Sequence, residues 1–68
     1  MKIKVTISRT NKTSELNLKN NSTVEQLIQT INLKPDTIIA LKNDKPIPID
    51  TNLNENDEIK IIQVSSGG

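Results

Sequence analysis

Several residue types are missing from this 68-residue chain, and each absence excludes a kind of chemistry. There is no cysteine, so the chain has no disulfide framework and no thiol of its own to act as a nucleophile or carry a thioester. There is no histidine, which removes the usual general base and the commonest transition-metal ligand. A free-standing enzyme is therefore poorly supported.

Aromatic side chains and long apolar runs are absent as well. Without aromatic rings to stack on bases, and with a net charge of +1, the chain has little with which to bind single-stranded nucleic acid. No apolar run approaches the roughly 18 residues that a membrane-spanning helix needs, and we expect no signal peptide. The composition favours a monomeric cytoplasmic protein that binds neither nucleic acid nor membrane.

Glycine occurs only twice, as the last two residues, Gly67 and Gly68. At average glycine usage a random chain ends in Gly-Gly roughly once in 200 times, and here no internal turn uses glycine at all. We interpret residues 65–68 as a flexible diglycine tail that is the working end, and residues 1–64 as the domain that presents it. The alternative is a disordered end or a cloning scar.

Alternation of apolar and polar residues predicts most of the strands. Residues 37–42 are apolar on both faces, as in a central strand, and prolines restrict residues 45–48 to a sheet edge. Asn43-Asp44 between them predicts a two-residue hairpin loop, and Asn56 is expected in a left-handed turn. Three strands are predicted by alternation: residues 1–8, with Met1, Ile3, Val5 and Ile7 inward; residues 15–19; and residues 58–64, with Ile59 and Ile61 inward.

One helix of about ten residues is predicted from apolar residues at helical spacing. Ser22 with Glu25, and equally Thr23 with Gln26, have the spacing of a capping box at its start. Pro35 is expected to stop it. The apolar stripe of this helix consists of Val24, Leu27, Ile28 and Ile31.

The order of these elements, β-β-α-β-β-β, predicts the fold class. Because the first and last strands have the clearest patterns, we expect them to lie side by side in the middle of the sheet. The helix must then cover one face, since it has a single apolar stripe. The sequence predicts an α+β protein with the ubiquitin-like β-grasp fold, a mixed sheet of four to five strands with one helix across it.

With these elements the chain resembles the ubiquitin-like sulfur carriers of thiamine and molybdopterin biosynthesis, and it resembles the archaeal small modifier proteins even more closely. The family often has glycine at the positions of Asp44 and Asn56, and often an apolar residue near Ser65. Asp and Asn tolerate positive φ, so the turns can form without glycine. The most specific shared features are the hairpin at Asn43 with Pro46-Ile47-Pro48, the segment Asp57-Glu58-Ile59 and the terminal diglycine.

The resemblance implies a role for each residue of the tail. Gly68 supplies a carboxylate that an adenylating enzyme activates in trans with ATP, while the chain itself binds no cofactor. The activated end is converted to a thiocarboxylate for a sulfur-acceptor enzyme, or joined through an isopeptide bond to a lysine of a target protein. Gly67 and Gly68 lack Cβ, so a narrow channel can close around them, and Ser65 and Ser66 are small enough to follow.

The last strand also presents a candidate partner-binding surface. Alternation places three of its residues on the face away from the helix: Lys60, Ile62 and Val64. The resemblance implies an apolar recognition patch there, and Ala40, with Ile38 or Ile39, is expected to extend it on the neighbouring strand. The alternative is that Ile62 only covers a sheet edge.

A second class of function stays open. A non-covalent β-grasp module that binds RNA or protein would have the same fold and an inert tail. Such a module should tolerate an added C-terminal residue, whereas a carrier should not.

Overall fold

The computed structural model describes residues 1–64, which form a five-stranded sheet and one α-helix. The predicted order β-β-α-β-β-β is confirmed, with a short 3-10 turn, Pro35–Thr37, as an addition. The elements are β1 (Lys2–Ile7), β2 (Lys12–Asn17), α1 (Val24–Thr30), β3 (Ile38–Lys42), β4 (Lys45–Ile47) and β5 (Glu58–Gln63).

The strand order across the sheet is β2-β1-β5-β3-β4. β1 and β5 run parallel, with Val5 opposite Ile59, and the other neighbouring pairs are antiparallel. The prediction that the first and last strands meet in the middle of a mixed sheet is confirmed. β4 lies at an edge, where Pro46 does not have to donate to a further strand.

The core lies between one face of the sheet and α1. Ile59 and Ile61, which were predicted to point inward, are both buried there. Strand alternation and the helical stripe therefore meet in one cluster, as the sequence pattern requires. Its buried members are Ile3, Val5, Val24, Leu27, Ile28, Ile38, Ala40, Leu53, Ile59 and Ile61.

The start of α1 is set by a capping box of Thr23 and Gln26. The Gln26 backbone N–H donates to Thr23 Oγ1 at 3.4 Å, and the Thr23 N–H donates to Gln26 Oε1 at 2.9 Å. The equally spaced alternative, Ser22 with Glu25, is wrong. Ser22 is buried and donates its hydroxyl to the Lys19 carbonyl at 2.6 Å, so it closes the turn before the helix.

The end of α1 differs from the prediction, because the helix has seven residues and stops well before Pro35. Asn32 adopts a left-handed conformation with φ of 62°, and the Leu33 N–H donates to the Ile28 carbonyl at 3.0 Å. This is a Schellman ending with asparagine in place of glycine. Within residues 1–64, no helix is long and apolar enough to cross a membrane.

The second strand begins earlier than predicted, at Lys12 instead of Glu15, and ends at Asn17. Its first residues, Lys12, Thr13 and Ser14, are polar and exposed, so no apolar alternation marks where this edge strand begins. Pairing with β1 defines it instead, and the Leu18 N–H extends that pairing by donating to the Met1 carbonyl at 2.9 Å.

The turns obtain their left-handed residues without glycine, as predicted. Asn43 and Asp44 have φ of 54° and 64°, which gives the two-residue hairpin loop between β3 and β4 the backbone of a type I′ turn. Asn56 has φ of 68°. Asn and Asp carry this conformation more readily than other residues with a Cβ.

Candidate partner-binding surface

The face of the sheet away from α1 carries a group of apolar side chains. Ile39 of β3 lies opposite Ile62 of β5, and Leu41 lies opposite Lys60 on one side and Pro46 on the other. Opposite residues in neighbouring strands share a face, so these side chains lie together. We call the following set the apolar half of the outer face: Ile39, Leu41, Pro46, Ile62 and Val64.

The apolar half is accessible to a partner. Ile39 is 41% exposed and Val64 is 52% exposed, while Ile62 and Leu41 are half-buried. Ile39 and Val64 are two of the three large exposed hydrophobic residues in the described part of the chain; the third, Ile49, precedes β5 in a loop. Contiguous exposed apolar residues of this kind mark interaction sites more often than scattered ones do.

One predicted member of this surface is misplaced. Ala40 is only 2% exposed and pairs with the buried Ile61, so it lies on the helix side of β3 and the prediction for it is wrong. Ile38 is buried on that side too, which leaves Ile39 as the outward residue of the two considered. Leu41 was missed, although strict alternation from Ile39 would have found it.

The other half of the outer face is polar. Lys4 of β1 lies between Glu15 of β2 and Glu58 of β5, with opposite charges in neighbouring strands. Next to it, the hydroxyl oxygens of Thr6 and Thr13 lie 2.9 Å apart in a hydrogen bond. We call this set the polar half of the outer face: Lys2, Lys4, Thr6, Thr13, Glu15, Asn17 and Glu58.

The boundary between the two halves is at Lys60. This residue is exposed and lies between Thr6 on β1 and Leu41 on β3. Alternation predicted three residues for the outer face. Lys60 and Ile62 lie on it, and Val64, two residues after Ile62, continues the same alternation. Whether they bind a partner stays a prediction.

The tail starts at the apolar end of this face. The backbone N–H of Val64 donates to the carbonyl of Thr37 at 2.9 Å, one position beyond the pairing of Gln63 with Ile38. Ser65, Ser66, Gly67 and Gly68 lie outside the described residues, so the roles predicted for them stay predictions.

At the opposite end of the sheet, an open polar depression of about 570 Å³ lies beside the β3–β4 hairpin. Lys42 Nζ lies 3.2 Å from Asp57 Oδ1, and the Asn54 N–H donates to Asp57 Oδ2 at 2.8 Å. The Asp57 carboxylate therefore ties the end of β3 to the turn that precedes β5. These contacts account for Lys42 and Asp57 as structural residues.

Comparison with known families decides what kind of protein carries this surface. The model of the family described as small archaeal modifier protein 2 matches residues 1–65, which include every strand and the helix. The chain belongs to this family. The resemblance found in the sequence is thereby confirmed, and the chain is a ubiquitin-like protein of the small archaeal modifier and sulfur carrier group.

Two curated relatives of this small archaeal modifier cover most of its length. The sulfur carrier protein TtuB of Thermus thermophilus is 22% identical over 54 residues, which is 79% of this chain and 83% of TtuB. A protein of Archaeoglobus fulgidus without an assigned function is 29% identical over 49 residues, or 72% of each chain.

Solved structures confirm the β-grasp fold of the family member. The ubiquitin of Caldiarchaeum subterraneum superposes with a TM-score of 0.73 and 22% identity, covering 100% of this chain and 98% of that one. SAMP1 from Haloferax volcanii superposes with a TM-score of 0.75 and 14% identity over the whole of both chains. At these identities the likeness concerns the fold.

Proposed function

We propose that this chain is an acyl carrier whose Gly68 carboxylate is adenylated in trans by a ubiquitin-activating-like enzyme. The activated end is then thiocarboxylated for sulfur transfer or joined to a lysine of a target protein. The observation that carries the proposal is a match to the small archaeal modifier family over residues 1–65, followed in the sequence by Gly67-Gly68.

The chemistry requires activation because a carboxylate is a poor electrophile. A carboxylate oxygen of Gly68 attacks the α-phosphate of ATP, forming an acyl-adenylate and releasing pyrophosphate. Hydrosulfide, delivered by a sulfur donor, then displaces AMP and leaves a thiocarboxylate. Alternatively, the neutral amine of a lysine displaces AMP and loses a proton as the isopeptide bond forms.

The residues before Gly68 suit entry into an enclosed adenylation site. Four residues beyond Val64 extend at most about 14 Å, so the folded domain must dock close to the ATP site. Gly67 and Gly68 have no Cβ to obstruct a narrow channel. Ser65 and Ser66 add little bulk, and the enzyme must therefore recognise the chain mainly through its folded surface.

The apolar half of the outer face is the surface we propose for that recognition. It leads directly to Val64, so an enzyme that contacts Ile39 and Ile62 would receive the tail beside them. Ordering the tail on binding costs free energy, which the buried apolar contacts would offset. Lys60, at the boundary of this half, would contribute at the rim of the contact.

The sulfur-carrier and modifier branches share the same acyl-adenylate, and one observation favours each. The relative from Thermus thermophilus is a sulfur carrier protein, whereas the matched family consists of small modifier proteins. Both branches are therefore part of the proposal, and the acceptor that the cell supplies decides between them.

Intact-mass measurement tests the proposal. The chain is incubated with ATP, its cognate activating enzyme and a sulfur donor, and the expected product carries one sulfur in place of one carboxyl oxygen. Omitting ATP, or deleting Gly68, should abolish the change while circular dichroism shows the fold intact. A chain with an added C-terminal residue that is processed as well as the wild type would contradict the proposal and favour the non-covalent binding module.

A further inference from the structure

In the described part of the chain, the hydrogen bond that follows the pairing of β3 with β5 joins Val64 to a turn and not to another strand. The regular pairing of β3 with β5 ends where Ile38 meets Gln63. The Val64 N–H then donates to the Thr37 carbonyl, which belongs to the 3-10 turn Pro35–Thr37. The position of Val64, the residue before the tail, therefore depends on this turn.

Several independent features of the turn fix the position of the Thr37 carbonyl group. Pro35 stands at the first position, where its fixed φ favours a helical turn. The Thr37 N–H donates to the Lys34 carbonyl at 3.0 Å, and Thr37 Oγ1 donates to the same carbonyl at 2.8 Å. The turn also lies against α1, so the acceptor for Val64 is attached to the body of the domain.

We propose that the turn Pro35–Thr37 is a positioning element for activation of the C-terminus, acting through Val64. It fixes the origin from which the tail reaches the adenylation site. If Val64 is released, the segment beyond the last residue held by the sheet begins at Val64 and has five residues instead of four, and the additional residue must be ordered in every encounter with the enzyme. This inference rests on the proposed function.

Two substitutions at Val64 separate the hydrogen bond from the side chain. Val64→Pro removes the donor and keeps an apolar ring; Gln63 is already extended, as a residue before proline prefers. Val64→Ala keeps the donor and removes more apolar surface than proline does. In ATP–pyrophosphate exchange with the activating enzyme, V64P should raise the KM for the carrier about two- to tenfold above that of V64A, with kcat unchanged.

The outcomes distinguish this inference from the proposed function. If the wild-type chain is not adenylated, the proposed function fails and the inference fails with it. If the wild type is adenylated and V64P has the same KM as V64A, only the inference is overturned. Equal thermal unfolding midpoints of the two variants would exclude a general loss of stability as the cause of a higher KM.

Amide hydrogen exchange gives a second test that does not need the enzyme. The Val64 amide of the wild type should exchange at least about tenfold more slowly than a free peptide amide, because it is hydrogen-bonded. Thr37→Ala removes the hydroxyl contact with Lys34, and it should reduce the protection of Val64. An unprotected Val64 amide, or protection that Thr37→Ala leaves unchanged, would overturn the role of the turn.

Discussion

Ile61 and Ile62 are neighbours in β5 and have the same side chain, yet they belong to different regions of the molecule. Ile61 is 0% exposed, pairs with Ala40 and packs beneath α1. Ile62 pairs with Ile39 on the outer face and is half-buried. The comparison teaches that position within the strand alternation decides whether an isoleucine stabilises the fold or is available to a partner.

A second contrast lies within the outer face itself. Its polar half pairs Lys4 with Glu15 and Thr6 with Thr13, so its side chains interact with one another. Within residues 1–64 no helix covers the apolar half, which leads to Val64. The fold needs the inner face, the side chains of the polar half interact with one another, and the apolar half is the surface that we propose for recognition.

The largest expected effect is on the inner face. Ile61→Ala should destabilise the domain by about 2–5 kcal/mol, because the side chain is fully buried and the surrounding residues relax only partly into the cavity. Urea unfolding followed by circular dichroism measures this. Since that loss can exceed the stability of a small domain, Ile61→Val is the milder variant, with an expected cost of about 0.5–1.5 kcal/mol. A negligible cost for both would break the contrast between the faces.

The next effect tests the corrected position of Ala40. Ala40→Leu adds volume to the closed interior, so it should destabilise the domain by about 1–3 kcal/mol in the same unfolding assay. If Ala40 were instead on the recognition surface, the larger side chain would leave stability unchanged and strengthen enzyme binding. That pair of results would contradict the assignment of β3.

Ile39→Ala is the matched change on the outer face. Because Ile39 is already 41% exposed, we expect a loss of stability below about 1 kcal/mol. The kcat/KM for adenylation should fall about tenfold, since an apolar anchor at the centre of an interface contributes about that much. A large loss of stability with unchanged activation would reverse the roles assigned to the two faces.

The smallest effect is expected in the polar half. Lys4→Ala removes an exposed charge, and exposed ion pairs contribute about 0–1 kcal/mol, so stability should change little. Adenylation should keep its wild-type kcat/KM. A loss of activation equal to that of Ile39→Ala would show that the whole outer face binds the enzyme, and the division into two halves would then be wrong.

Much of the fold could be predicted from residues with a clear period. The alternation in β1 and β5 identified both central strands, and the spacing of Val24, Leu27 and Ile28 identified the helix. The start of the edge strand β2 was placed too late, because Lys12, Thr13 and Ser14 are all polar and leave no period to detect. The helix ended early because Asn32 took the conformation that glycine usually supplies, a preference that the sequence does not mark strongly.

The candidate surface could be predicted only in part, for a similar reason. β5 has polar residues that reveal its outward positions, whereas Ile38, Ile39, Ala40 and Leu41 are all apolar and give no alternation. Only the pairing of Ala40 with Ile61 determines which of them face outward. The hydrogen bond from Val64 to Thr37 uses a backbone carbonyl oxygen in a turn as its acceptor. No pattern of side chains in the sequence predicts where such an acceptor lies.

The central claim, that the carboxylate of Gly68 is the group this protein carries, is tested most directly by the mass of the protein recovered from its native cells. The account predicts a mature chain that ends at Gly68, present as the free acid together with a thiocarboxylate or with lysine adducts. A mature chain that continues past Gly68 with no trimming would contradict it.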